Sequence, residues 1–99
     1  MKYGASNGNY LEKAFKMIED YLDDKITPSD FSDDFAGYIF DNCEKMESED
    51  PVVADEIEGV FPEICDYYLE GDPDSDPVVF KRMVQKEYNC IKRECNIKR

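Results

Sequence analysis

Four cysteines (Cys43, Cys65, Cys90 and Cys95) and twenty-four carboxylates are the side chains that could do chemistry here, and no histidine accompanies them. Without histidine the usual general base, the neutral-pH proton shuttle and the commonest metal ligand are missing. Serine and cysteine nucleophiles have no imidazole to activate them. No two cysteines have CxxC spacing, which argues against a zinc site or a thioredoxin-like dithiol. Cys90 and Cys95 stand about 140° apart on a helix and share no face. Buried free thiols in a reducing compartment are the expected state of all four.

The aspartates Asp72, Asp74 and Asp76 alternate like the opening of an EF-hand loop. Pro73 and Pro77 replace its flexible positions, the sixth position lacks glycine, and Met83 stands where the twelfth-position glutamate belongs. A solvated acidic loop, or one that touches a partner, fits better than a calcium site. Carboxylate pairs for acid–base catalysis need an enclosing pocket that drives their pKa values apart. A di-iron bundle needs inward Glu-x-x-His pairs. Phosphate-binding loops and dinucleotide fingerprints are absent. No enzyme activity, catalytic residue, cofactor or metal is expected.

The elements that would position these acids follow from apolar spacing and start signals. Leu11, Ala14, Phe15, Ile18, Tyr21 and Leu22 form an i, i+3, i+4, i+7 stripe, predicting a helix over about 9–24. Thr27-Pro28 opens a second helix over 28–47, with Thr27 as cap, Pro28 at the first helical position and Asp30 facing the positive end of the dipole. Its stripe is Phe31, Phe35, Tyr38, Ile39 and Met46. Asp50-Pro51 opens a third over 51–70, striped by Val53, Ile57, Val60, Phe61, Ile64 and Tyr68. Pro62 lies inside this run and predicts a kink or a restart, the preserved apolar phase favouring a kink. Residues 71–76 are a loop. Asp76-Pro77 opens a fourth helix over 77–94, striped by Phe80, Met83, Val84, Tyr88 and Ile91. The basic tail is 95–99. No run alternates strictly enough for a half-buried strand. The expectation is one all-α domain over 1–99, a small antiparallel four-helix bundle.

Charge divides the chain unevenly. Residues 1–80 carry 22 acids and 5 bases, whereas residues 81–99 carry 7 bases and 2 acids. The front part would repel nucleic acid and membrane phosphates and attract a basic protein surface. No apolar run reaches the roughly 18 residues of a membrane span. The opening Met1 to Tyr10 stretch is polar and unlike a secretory signal, so a cytoplasmic address is expected. On the third helix Asp55, Glu56, Glu58, Glu63, Asp66 and Glu70 gather opposite the stripe without a lysine or arginine. Asp30, Asp33, Asp34, Asp41, Glu44 and Glu47 do the same on the second. Like charges at helical spacing cost roughly 0.2–0.5 kcal/mol per pair. Selection for stability alone would intersperse lysine. The alternatives are a solvated face kept for solubility or a field aimed at a positively charged cleft. Lys81, Arg82, Lys86, Lys92 and Arg93 make the fourth helix basic; they could be solvated, lie against acidic neighbours, or meet the acidic face of a second copy.

The stretch Tyr10 to Tyr68 resembles the colicin D immunity-like family, which includes immunity proteins of contact-dependent growth inhibition systems. The resembling pieces are Ile18-Glu19-Asp20-Tyr21-Leu22-Asp23-Asp24-Lys25-Ile26-Thr27, then Asp30-Phe31 and Phe35, then Asp50-Pro51-Val52-Val53, and Ile57 through Val60-Phe61 to Asp66-Tyr67-Tyr68. Together they span about three-fifths of the chain, and the likeness ends by Gly71. The resemblance implies a small helical bundle that binds and blocks a nuclease toxin, often one that cuts transfer RNA, in the cytoplasm of the producing cell. It assigns no toxin-contacting residue. Charge geometry supplies the candidates: Asp55, Glu56, Glu58, Glu63 and Asp66, with Asp72 and Asp74 from the adjoining loop and Tyr67 as an aromatic anchor. The partner expected is a basic nuclease domain, bound by a monomer as a 1:1 heterodimer, with no direct contact to nucleic acid or membrane. A nucleic-acid-mimicking adaptor for a host protein is the alternative, using the same physics on another partner.

Overall fold

The computed structural model describes residues 10–68 and 72–97, and among them the chain forms four helices and no strand. These are α1 (Tyr10–Leu22), α2 (Pro28–Glu49), α3 (Pro51–Tyr67) and α4 (Pro77–Glu94). The expected all-α four-helix bundle is the fold observed. Of the predicted helix ends, Asn9, Leu69 and Glu70 lie outside the described residues, as do Gly71 and the last two residues of the tail.

Thr27-Pro28, Asp50-Pro51 and Asp76-Pro77 start their helices by the same means. The Thr27 hydroxyl accepts the Asp30 amide at 3.1 Å, Asp50 accepts those of Val52 and Val53, and Asp76 accepts that of Val78 at 2.8 Å. In every case proline follows in the first turn, where its missing N–H leaves nothing unsatisfied. Asp50 has two duties: it ends α2, its amide donating to the Met46 carbonyl, and it caps α3. α1 stops two residues short of the expected Asp24. There Asp24 takes a left-handed φ of 65°, its amide donates to the Tyr21 carbonyl, and Lys25 donates to that of Asp20. This is a Schellman end with aspartate in the place glycine usually holds. α3 runs unbroken through Pro62, so no restart occurs there. Ile57, Phe61, Ile64 and Cys65 remain buried on both sides of it.

The predicted stripes build the core. Leu11, Ile18, Phe31, Phe35, Met46, Ile57, Phe61, Phe80, Val84 and Ile91 are all fully buried. An aromatic chain ties the helices together: Tyr21 stacks on Phe31 at 4.7 Å, Phe31 on Phe35 at 5.0 Å, and Phe35 meets Phe61 edge-on at 5.1 Å. Phe80 brings α4 to Tyr21 at 5.5 Å. The start of α1 is held by α2. Glu49 accepts the amides of Tyr10 and Leu11 at 2.8 and 2.9 Å, and the Tyr38 hydroxyl donates to the Tyr10 carbonyl at 2.6 Å. Glu49 therefore does for α1 what a neighbouring cap does for the other helices.

All four cysteines are free thiols, but only Cys65 is buried; Cys43, Cys90 and Cys95 are half-exposed. Expecting burial for all four was therefore right for one. Cys65 falls on the core side of α3, whereas the others sit at the stripes' margins.

Candidate functional site

The site is built on the corner between α2 and α3, which Asp50 joins with no residue to spare. The two helices return on one another, so the late part of α2 lies beside the early part of α3. Glu47 of α2 and Glu58 of α3 meet there carboxyl to carboxyl. Burial first, then a hydrogen bond to Glu47 and the charges of Glu47 and Asp55, push the Glu58 carboxyl up to about 7. Glu58 Oε2 is buried and finds no donor among the described residues. Protonation resolves this, because the acid form donates to Glu47. At the far end of the same seam Asp33 and Asp66 flank Cys65. Burial and then their charges drive its thiol up to about 12.

Three of the candidates, Asp55, Glu58 and Asp66, thus share a seam with Asp33 and Glu47 of α2. Asp55 and Asp66 are exposed. Glu63 is exposed as well, about 60° around the helix from Asp66. Among the described residues the ion pairs join Lys16 and Lys25 to Asp20 and Lys81 to Asp24. None involves an acid of α2 or α3. The one lysine of α2, Lys45, lies over the Tyr10 ring at 5.2 Å. A shallow cleft of about 560 Å³ opens at the corner, lined by Glu47, Pro51, Val52, Asp55 and Glu56. Val52 is 68% exposed.

The remaining candidates lie off the seam, Glu56 among them although it also lines the corner cleft. Glu56 turns toward α4, where Glu87 hydrogen-bonds to it; burial first, then that bond and charge, push Glu87 up to about 7. The Tyr67 hydroxyl is engaged in its own loop, donating to the Asp74 carbonyl at 3.5 Å and accepting the Asp76 amide at 3.2 Å. Asp72 shapes that loop, accepting the Asp74 amide at 2.9 Å through its side chain. Asp74 is exposed at the turn. Among the described residues no group of three or more histidine, cysteine or carboxylate side chains could hold a metal ion. No described helix is long and apolar enough to cross a membrane.

One residue of the site escapes the periodicity argument. Phe40 is 83% exposed, the most exposed large apolar side chain described. At about 100° per residue, Asp33, Phe40, Glu44 and Glu47 fall within about 60° of one another on α2. Gly37 lies on that same ridge, with open space where a Cβ would stand. The signal was present in the sequence as a phenylalanine out of phase with its stripe.

Compared with family models, curated proteins and solved structures, the chain matches none.

Proposed function

We propose that this protein is an immunity protein: it binds a basic nuclease toxin domain and blocks the active-site cleft with its α2–α3 face. The observation that carries the reading is the unpaired state of that face. Acids from two helices share one seam, none has a lysine or arginine partner among the described residues, and Phe40 stands exposed in their midst. Such a field speeds encounter with a cationic cleft and sets its orientation. Aromatic side chains, phenylalanine among them, are enriched at the cores of protein interfaces. The corner cleft offers Glu47, Asp55 and Glu56 to an entering lysine or arginine. The likeness of Tyr10 to Tyr68 to colicin D immunity-like proteins supports the same reading, with transfer RNA as the nuclease's expected target. Binding excludes substrate, so the protein needs no catalytic residue and no cofactor, and acts in the cytoplasm as one half of a 1:1 complex.

The test is capture of the partner from the source cell, followed by a protection assay with the purified nuclease. A basic nuclease should be captured and inhibited. The triple variant Asp33→Lys, Asp55→Lys, Asp66→Lys should lose protection while keeping its helical circular dichroism. Protection undiminished in that variant, or a captured partner with no nuclease activity, would rule the proposal out.

A further inference from the structure

The acidic face leaves α4 unexplained. Where α4 passes the end of α1 and the start of α2 it borders a groove of about 850 Å³. The α4 wall extends from Pro77 to Arg93, roughly 24 Å at 1.5 Å per residue. Its apolar lining includes Ile26 and Val78, and Val78 is 63% exposed. Tyr21 also lines the groove; it is 2% exposed, and its hydroxyl has no hydrogen-bond partner among the described residues.

The rim is cationic in a molecule that is otherwise acidic. Lys81, Arg82, Lys86 and Arg93 line the groove against a single acid, Asp24. Lys81 already pairs with Asp24 at 2.5 Å. Arg82 and Lys86 are exposed and have no carboxylate partner among the described residues. The expectation that α4's bases would lie against acidic neighbours therefore holds for Lys81 alone. In a chain of net charge −12, the free cations Arg82 and Lys86 beside the groove's apolar end, lined by Ile26, Pro28, Pro77 and Val78, are an address for an anionic partner. The channel's length fits a helix of four to five turns better than a compact small molecule.

We infer that this groove docks an amphipathic, acid-flanked helix of a partner protein, with its apolar ridge against Ile26 and Val78 and its carboxylates meeting Arg82, Lys86 and Arg93. The inference is independent of the immunity reading, since it uses other residues and a partner of opposite charge. A second copy is a poorer occupant. Each copy carries the same large negative charge, and the α2 ridge offers one exposed aromatic, Phe40, rather than the apolar row a groove of this length takes.

The experiment uses the full chain and a labelled helical peptide with leucines along one face and glutamates on both flanks, read by fluorescence anisotropy. A matched peptide with lysine in place of every glutamate is the control. The acidic peptide should bind saturably and weaken as salt rises. Arg82→Glu with Lys86→Glu should reduce affinity by roughly tenfold or more. Val78→Asp should reduce it comparably, and because Val78 is exposed, circular dichroism and melting should stay unchanged. No binding of the acidic peptide, equal binding of the lysine peptide, or indifference to both variants overturns the inference. So does concentration-dependent self-association in sedimentation that Arg82→Glu abolishes, which would assign the groove to a second copy. An anionic aromatic dye that saturates the groove one-to-one while the peptide does not bind would assign it to a small ligand instead, again overturning the helix.

Discussion

The Glu58 carboxyl faces that of Glu47 across the seam between α2 and α3, and burial together with that contact favours its protonated form. Glu58 therefore ionises in the folded protein only near pH 7, well above the ordinary value of 4.5. Glu87, facing Glu56, behaves alike. The folded chain thus binds more protons than the unfolded chain between about 4.5 and about 7, and stability from these two groups falls as pH rises through that interval. It is fully present below about 4.5. Glu58→Gln, which keeps the donor and removes the charge, should stabilise the protein at pH 8 by on the order of 1 kcal/mol, after allowing for solvent screening. It should also flatten the pH dependence. Urea melts of both proteins at pH 5 and pH 8 provide the comparison, and a Gln variant less stable at pH 8 would refute the shared proton.

Removing the clamp on α1 should cost more than an ordinary surface change. Glu49→Ala leaves the Tyr10 and Leu11 amides without their acceptor, a loss of about 1–2 kcal/mol by analogy with caps. Hydrogen exchange should show the first turn of α1 opening before the rest. Uniform loss of protection across all four helices would contradict a local role.

Phe35 links two aromatic partners in the core, Phe31 and Phe61, and is fully buried. Phe35→Ala should destabilise by about 3–5 kcal/mol, a large part of the stability of a domain this size. The thermal midpoint measures it.

Phe40 makes the opposite prediction. Exposed as it is, Phe40→Ala should change stability by less than about 0.5 kcal/mol while weakening the partner complex by roughly tenfold or more. Calorimetric titration with the captured nuclease reads the second effect. An unchanged Kd would remove Phe40 from the interface.

Thiol labelling should split the cysteines. Burial and the flanking acids hold the Cys65 thiol near 12, so at pH 8 it should stay unreactive until the protein unfolds, whereas Cys43, half-exposed, should react in the native state. Mass spectrometry of the labelled peptides distinguishes them.

The starts of α2, α3 and α4 were legible because a Thr or Asp cap, a proline and then an apolar stripe coincide there, and the core because Leu11 to Tyr21 or Phe80 to Ile91 keep strict helical phase. What a single helix cannot reveal is which neighbour covers each flank. Glu56 and Glu58 looked alike as members of one acidic face. They stand about 200° apart, and packing sends one to Glu87 on α4 and the other to Glu47 on α2. Tyr67 read as an aromatic anchor, but the loop's path back to Asp76 uses its hydroxyl for bracing. Phe40 falls out of phase with the α2 stripe, and an out-of-phase aromatic is the one left for solvent or a partner.

Because Asp50 alone separates the two helices, the angular setting of one is geared to the other. Lengthening that connection by one alanine would let α3 reset against α2 and loosen the facing of Asp66 and Asp33 across Cys65, while leaving composition, charge and helix content almost untouched. Evolution can therefore vary individual acids on this corner freely, but it cannot lengthen the corner without losing their alignment.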